Sequence, residues 1–241
     1  MKYIIFADVH GNLQAFKRFS EDVAGYDGAE FICVGDIVGY GANPEECING
    51  VRIIGAECVM GNHDAAVVNE TDISVFNKYA SWAILWTQRN ISQDSCDYIK
   101  TFKFIYENDF FVAAHGALHG AEKFPYLREV KDAEKTFEQL KKKICFVGHT
   151  HVPEVFTCKE DSVSKLPCED FIVEEGSRYI VNVGSVGQPR GNDPRACYCV
   201  YDIDTGKIEF HKVEYDAVSA REAILNAGLP ATLGDRLIYG H

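Results

Sequence analysis

Positive charge is scarce in this 241-residue sequence. Its 24 Lys and Arg stand against 36 Asp and Glu, a net charge of −12 with a pI near 5.1. So acidic a chain does not grip nucleic-acid phosphates by bulk charge, and no such partner is expected. Long apolar runs are missing too. No segment approaches the ~18 uninterrupted apolar residues of a membrane span. The apolar stretch after Lys2 is broken at Asp8 and His10, too short for a signal-peptide core. There is no Cys-x-x-Cys spacing, internal repeat, charge run or low-complexity linker. The nine cysteines are odd in number, and several fall in apolar runs. They read as reduced thiols packed as small hydrophobes, which excludes a disulfide framework. With 20 Gly and 7 Pro beside 46% hydrophobic residues, disordered and collagenous classes are excluded as well. A cytoplasmic globular protein remains. A chain of this length buries roughly 70–75% of its unfolded surface in one core, so residues 1–241 are expected to form a single domain.

The first half alternates strand and helix signals. Residues 3–7, 30–34 and 56–60 are apolar runs of buried-strand length. Between the first two, Leu13, Phe16, Phe19 and Val23 share a helical face that Gly25 ends. Asn43-Pro44-Glu45-Glu46 begins a second helix, with Asn as N-cap and Pro at the first position. Parallel strands with crossover helices follow from that order. One long helix is predicted over 73–89, with an aromatic stripe of Phe76, Tyr79, Trp82 and Trp86 that packs in the core or caps the site. A hairpin turns at Glu107-Asn108-Asp109, a helix spans 132–142, and a strand covers 144–147. Strand signals then dominate up to residue 213, and a last helix runs from Asp216 to about Gly228. The fold class is mixed α/β: a four-layer sandwich of two mixed sheets flanked by helices.

Residues with chemistry fall at strand ends. Asp8-Val9-His10 follows the first strand, and positions i and i+2 of an extended segment share a side. Gly35-Asp36 follows the second, Gly61-Asn62-His63-Asp64 the third, His115-Gly116 the strand ending at Ala114, and Gly148-His149-Thr150-His151 the strand ending at Val147. The carboxyl edge of an open α/β sheet is where ligands bind. Each group alone reads as turn or capping chemistry, but five in series do not. Two carboxylates, an amide oxygen and four imidazoles suffice for two cations sharing one carboxylate. A shell without thiolate favours Mn, Fe or Zn.

These ordered blocks resemble the calcineurin-like metallophosphoesterase superfamily, from the first strand to about residue 195. The stretch Asn182-Val183-Gly184-Ser185-Val186-Gly187-Gln188-Pro189-Arg190 resembles a late block of its small bacterial and archaeal branch. The resemblance implies two divalent or trivalent metal ions. Asp8, His10 and His151 would hold the first, Asn62, His115 and His149 the second, and Asp36 both. His63 would donate a proton to the leaving oxygen. Asn12 is a substrate contact or an N-cap, and Arg190 a phosphate contact or a structural ion pair. The implied activity is attack of a metal-activated hydroxide on a small, nucleotide-like phosphate ester or anhydride, as a phosphodiesterase or phosphomonoesterase. Dinucleoside polyphosphate hydrolase and serine/threonine protein phosphatase are the enzymatic alternatives. A non-catalytic scaffold of the same fold is the alternative outside enzymes. Protein phosphatases of the superfamily carry Gly-Asp-x-Val-Asp-Arg-Gly where this chain has Gly35-Asp36-Ile37-Val38-Gly39-Tyr40-Gly41. Gly39 thus removes the carboxylate that would orient His63, and Tyr40 the Arg. Tyr40 either stacks on a substrate base or packs against its loop. The 117–130 loop beside His115, with His119, Phe124, Tyr126 and Arg128, is expected to set specificity.

Overall fold

The computed structural model describes residues 1–241. Its first half contains β1 (Lys2–Phe6), α1 (Leu13–Val23), β2 (Glu30–Cys33), α2 (Pro44–Ile53), β3 (Glu57–Cys58), α3 (Asn62–Val67), α4 (Lys78–Gln88) and α5 (Gln93–Ile99). Then come β4 (Ile105–Glu107), β5 (Phe111–Ala114), α6 (Val130–Gln139), β6 (Ile144–Val147), β7 (Glu154–Lys159), β8 (Ser162–Leu166), β9 (Phe171–Ile172) and β10 (Ser177–Asn182). The chain closes with β11 (Ala196–Asp202), β12 (Lys207–Val213), α7 (Ala217–Asn226) and α8 (Ala231–Tyr239).

Two six-stranded mixed sheets result, ordered β3-β2-β1-β11-β12-β9 and β4-β5-β6-β10-β7-β8. β1 runs parallel to β2 and antiparallel to β11, and β6 runs parallel to both β5 and β10. The apolar run of β1 has a physical cause on each face. Tyr3 and Ile5 enter the layer between the sheets, with Phe111, Phe146 and Val181. Ile4 and Phe6 turn outward onto α1, where Phe6 and Phe19 ring centroids lie 4.7 Å apart. A strand buried on both faces needs no polar alternation. On the far side, Ala133 and Phe137 of α6 cover Val112, Cys145 and Ile180 of the second sheet.

Four expectations need correction. The helix predicted over 73–89 is interrupted. Asp72 and Asn77 each accept backbone N–H bonds from the residues that follow, and these side-chain caps start a short 3₁₀ turn (Ile73–Val75) and then α4. Its aromatic stripe is not the buried face: Ala80, Ala83, Ile84 and Thr87 are buried, while Trp82 is half exposed. The third strand shrinks to two residues because Met60 leaves the ladder for the Lys103 carbonyl. The helix from Asp216 is not the last, for after Pro230 the chain re-enters helix as α8. This α7–α8 hairpin packs Ile224, Leu233 and Leu237 against Ala80, Ala83 and the ring of Tyr40.

Candidate metal centre

The carboxyl ends of β1, β2, β3, β5 and β6 meet at one edge between the sheets. All seven ligands expected from the sequence lie there, all but Asn62 nearly fully buried. The backbone pays conformational strain to place them. Asp8, His10, Asp36, His149 and His151 all have positive φ, between 49° and 68°. Left-handed conformations are uncommon outside glycine and cluster where surrounding structure enforces them. Here the enforcement is a set of backbone bonds. The N–H of Asp8 donates to the Gly35 carbonyl, His10 to Asp36, Val186 to Ala7 and Gly187 to Asp8. Asp64, whose role was not legible in the sequence, accepts N–H bonds from Asp36, Ile37, Val38 and Gly61. It ties two ligand loops together and does not orient the His63 ring. Asn182 does similar work on the other sheet, donating to the Gly148 carbonyl and Thr150.

Three imidazoles are fixed by carbonyls. The Nδ1 atoms of His10, His115 and His151 donate to Val38, Val34 and Gln188 at 2.9, 2.8 and 2.7 Å. A carbonyl only accepts, so in each neutral ring Nε2 presents a lone pair to the centre. The Nε2 atoms of His10 and His151 then face one another at 3.1 Å, both 3.4–3.7 Å from Asp8 Oδ1, which has no hydrogen-bond partner. Converging lone pairs and an orphaned carboxylate oxygen repel unless a cation lies among them. Asp36 stands between two such groups: its Oδ2 is 3.7 Å from His10 Nε2 and 3.3 Å from His115 Nε2, while Asn62 Oδ1 is 3.1 Å from His115 Nε2. Asp8, His10 and His151 form one ligand triad, Asp36, His115 and His149 another, and His10, Asp36 and His63 a third that overlaps both. These residues fit divalent cations.

Burial pushes His10, His149 and His151 well below the usual histidine range, which leaves them as the neutral rings metals bind. Burial pushes Asp8 up to about 8, against the pull of His115. Asp36 is driven upward by burial, but His115, His63 and His10 outweigh this and hold it well below the carboxylate range. His115, lowered by burial, is raised to about 9 by the charge and hydrogen bond of Asp36, so without a metal its Nε2 keeps a proton that a bound cation would displace. A cation at this edge would compensate the buried carboxylate charge.

A cavity of about 610 Å³ opens over the centre. Asp36, Asn62, His63, His149, His151, Tyr40 and Arg190 form its floor and one side. Phe76 and Asn77 enter from the turn before α4, and Lys123, Phe124 and Tyr126 from the expected specificity loop. His63 is buried, and its Nδ1 has no partner. Burial pushes it down to about 4. Aromatic rings hold it instead of a carboxylate: Tyr40 at 4.4 Å, His10 at 4.9 Å and Phe76 at 5.2 Å between centroids. Gly39 makes this possible. A Cβ there would lie 2.3 Å from His63 Nδ1, so the ring occupies space that any side chain at 39 would take. Tyr40 therefore packs chiefly against its own loop and the two histidines while still lining the cavity. Of the two roles expected for Asn12, the structure shows the N-cap. Its Oδ1 accepts from the Ala15 N–H and its Nδ2 donates to the Gly187 carbonyl, and it does not line the cavity. Arg190 faces the cavity without an ion pair, donating to Gln188 Oε1 at 2.9 Å. His119 bonds Thr136 on α6 and stays outside the centre. His149 has no carbonyl to fix it. Its ring stacks on Tyr126 at 3.9 Å and 14°, with Arg128 over Tyr126 at 4.1 Å.

A family model described as the calcineurin-like phosphoesterase superfamily domain matches residues 1–206. An uncharacterized protein of Methanocaldococcus jannaschii is 35% identical over 237 residues, 98% of this chain and 97% of its own. A metallophosphoesterase from Sphaerobacter thermophilus, solved by crystallography, is 33% identical with a TM-score of 0.87 over 100% of this chain and 99% of that one. A hypothetical protein from Pyrococcus horikoshii shares the fold at 17% identity, with a TM-score of 0.82 over 100% and 98%. No helix is long and apolar enough to cross a membrane.

Proposed function

Because the chain belongs to the calcineurin-like phosphoesterase superfamily, whose members are metal-dependent phosphoester hydrolases, we propose that residues 1–241 act as one unit. It hydrolyses phosphomonoesters or phosphodiesters of small, nucleotide-like molecules at a two-cation centre. The position of Asp36 Oδ2 between the His10 and His115 rings carries this reading, for it offers one oxygen to two sites. Asp8, His10 and His151 would hold one cation and Asn62, His115 and His149 the second, and Mn, Fe or Zn suits this donor set. When bound, two such cations would acidify water for attack and neutralise phosphoryl charge. The chain's own residues do the rest. Arg190 grips a phosphoryl oxygen from the cavity wall. His63, held by its aromatic cage, donates to the leaving oxygen once the negative charge of a bound phosphate raises its pKa from about 4 and protonates it. A cavity narrowed by Phe76 and Tyr126 suits a small ester better than a phosphopeptide. The intact ligand set argues against a non-catalytic scaffold. The nine free cysteines suit a reducing compartment, and the cytoplasm is the location this reading takes.

The test is leaving-group dependence in Mn-loaded protein. His63→Ala is expected to keep its metal and lose ~10²–10⁴-fold in kcat on an alkyl phosphate, the range for a general acid. The loss should shrink on p-nitrophenyl phosphate, whose leaving group scarcely needs a proton. Equal losses would reject the role. A second expectation concerns Tyr126. Partners that orient a metal ligand are worth ~10–100-fold in metal affinity. Tyr126→Ala should weaken Mn²⁺ binding by about tenfold in calorimetric titration, while Tyr126→Phe, which keeps the stacked ring, should bind like the parent. If Tyr126→Phe fell as far as Tyr126→Ala, the hydroxyl and not the stack would be responsible.

A further inference from the structure

We propose that Arg236 and Arg190 together form a subsite for a second phosphoryl group, so that the small phosphate ester bound here carries two adjacent phosphates. This rests on the phosphoesterase reading above and specifies its substrate. Arg236 belongs to α8, beyond the residues the family model matches. Its guanidinium reaches the buried Gln188 side chain, where Nη1 donates to Oε1 at 3.4 Å, the oxygen that Arg190 Nη2 also binds at 2.9 Å. Two cations thus converge on one neutral acceptor. Gln188 links the pair to the metal centre, because its carbonyl accepts from His151 Nδ1. Arg190 itself lines the cavity beside His63, His149 and His151.

Neither guanidinium forms an ion pair, in a chain with 36 acidic residues. The neighbouring carboxylates are engaged elsewhere. Asp235, adjacent in sequence to Arg236, pairs with Arg221 at 2.7 Å, and Asp193 pairs with Arg195 and Lys212 at 2.7 and 2.9 Å. Arg236 Nε is buried with no partner at all. Burial and the nearby Arg190 charge push the Arg236 pKa below its usual value, as expected for a cation without a counter-charge. Support of the helix C-terminus does not explain the placement. The cap there is made by Gly240, whose N–H bonds the Arg236 carbonyl, while the side chain leaves toward Gln188. Buried like charges are unfavourable unless something offsets them. Two planar guanidiniums with most of their ten N–H donors free match phosphate oxygens, which accept bidentate bonds.

The experiment compares AMP, supplied as its non-hydrolysable 5′-phosphonate isostere, with α,β-methylene-ADP, which has no cleavable anhydride, so that the pair differs in the second phosphoryl group. Both are titrated calorimetrically into Mn-loaded protein with buffered Mn²⁺. The parent should bind the diphosphate analogue at least tenfold tighter than AMP. Arg236→Ala should reduce that ratio by about tenfold, moving the diphosphate Kd far more than the AMP Kd, and Arg236→Lys should restore part of it. Equal weakening of both ligands, or no change in the ratio, overturns the subsite; thermal melting of each variant separates this from lost folding. Hydrolysis of p-nitrophenyl phosphate and bis-p-nitrophenyl phosphate by the parent is measured in parallel. If the loaded parent cleaves neither while the Kd ratio behaves as stated, the proposed reaction fails and the anion subsite stands.

Discussion

Asp36→Asn is expected to empty both cation sites and to lower kcat/KM by on the order of 10³-fold or more, the scale of losing a charge-stabilising group. The isosteric amide has no good orientation here. Asp36 Oδ1 accepts the His63 N–H at 2.8 Å, and Oδ2 faces the Nε2 atoms of His10 and His115. If the amide nitrogen takes the Oδ1 place, two donors oppose each other. If it takes the Oδ2 place, the shared ligand and its charge are gone. Elemental analysis of the purified variant decides the matter. One ion lost with the other retained at full occupancy would show that Asp36 serves a single site.

The second large effect is expected from a substitution that touches no ligand. Gly187→Ala should destabilise the protein by about 3 kcal/mol or more, at the upper end of overpacking effects. For a chain of this size that is a fall of roughly 6–12 °C in Tm. A Cβ at 187 would stand 1.7 Å from the Val9 carbonyl oxygen, and backbone cannot rotate away as a side chain can. Val9 lies between Asp8 and His10, so the displacement should weaken metal binding as well. Gly25→Ala is the matched control. Nothing lies within 4 Å of its added Cβ, so it should melt close to the parent. A Gly187→Ala protein melting within two degrees of Gly25→Ala would contradict the steric account.

Strand ends were readable in advance because a carboxylate or imidazole after an apolar run has few uses other than a turn or a ligand, and five such blocks in order leave little choice. The helices around the site were less readable. Periodicity through 73–89 continues across Asn77, yet the side-chain cap at Asn77 breaks the helix there. Phe76 is thereby released from a helical face to pack on His63. Helix α8 was missed because Pro230 and Gly234 weaken its local signal; burial of Leu233 and Leu237 against α4 and α7 overrides it. The positioning of His63 was also unreadable. Sequence showed that Gly39 supplies no carboxylate, but only three dimensions reveal that its missing side chain is the room the ring needs.

The ligands divide between the two halves of the sandwich. Asp8, His10, Asp36 and Asn62 follow strands of one sheet, and His115, His149 and His151 follow strands of the other. On the proposed reading, loading the centre therefore fastens one layer to the other, and an unfolded chain offers no comparable site. By mass action a ligand held only by the native state adds ~2.7 kcal/mol of stability at one hundred times its Kd. Free metal concentration thus becomes a thermodynamic variable of the fold as well as of the reaction. A cell short of these metals would hold a less active enzyme that is also quicker to open at the edge between its sheets.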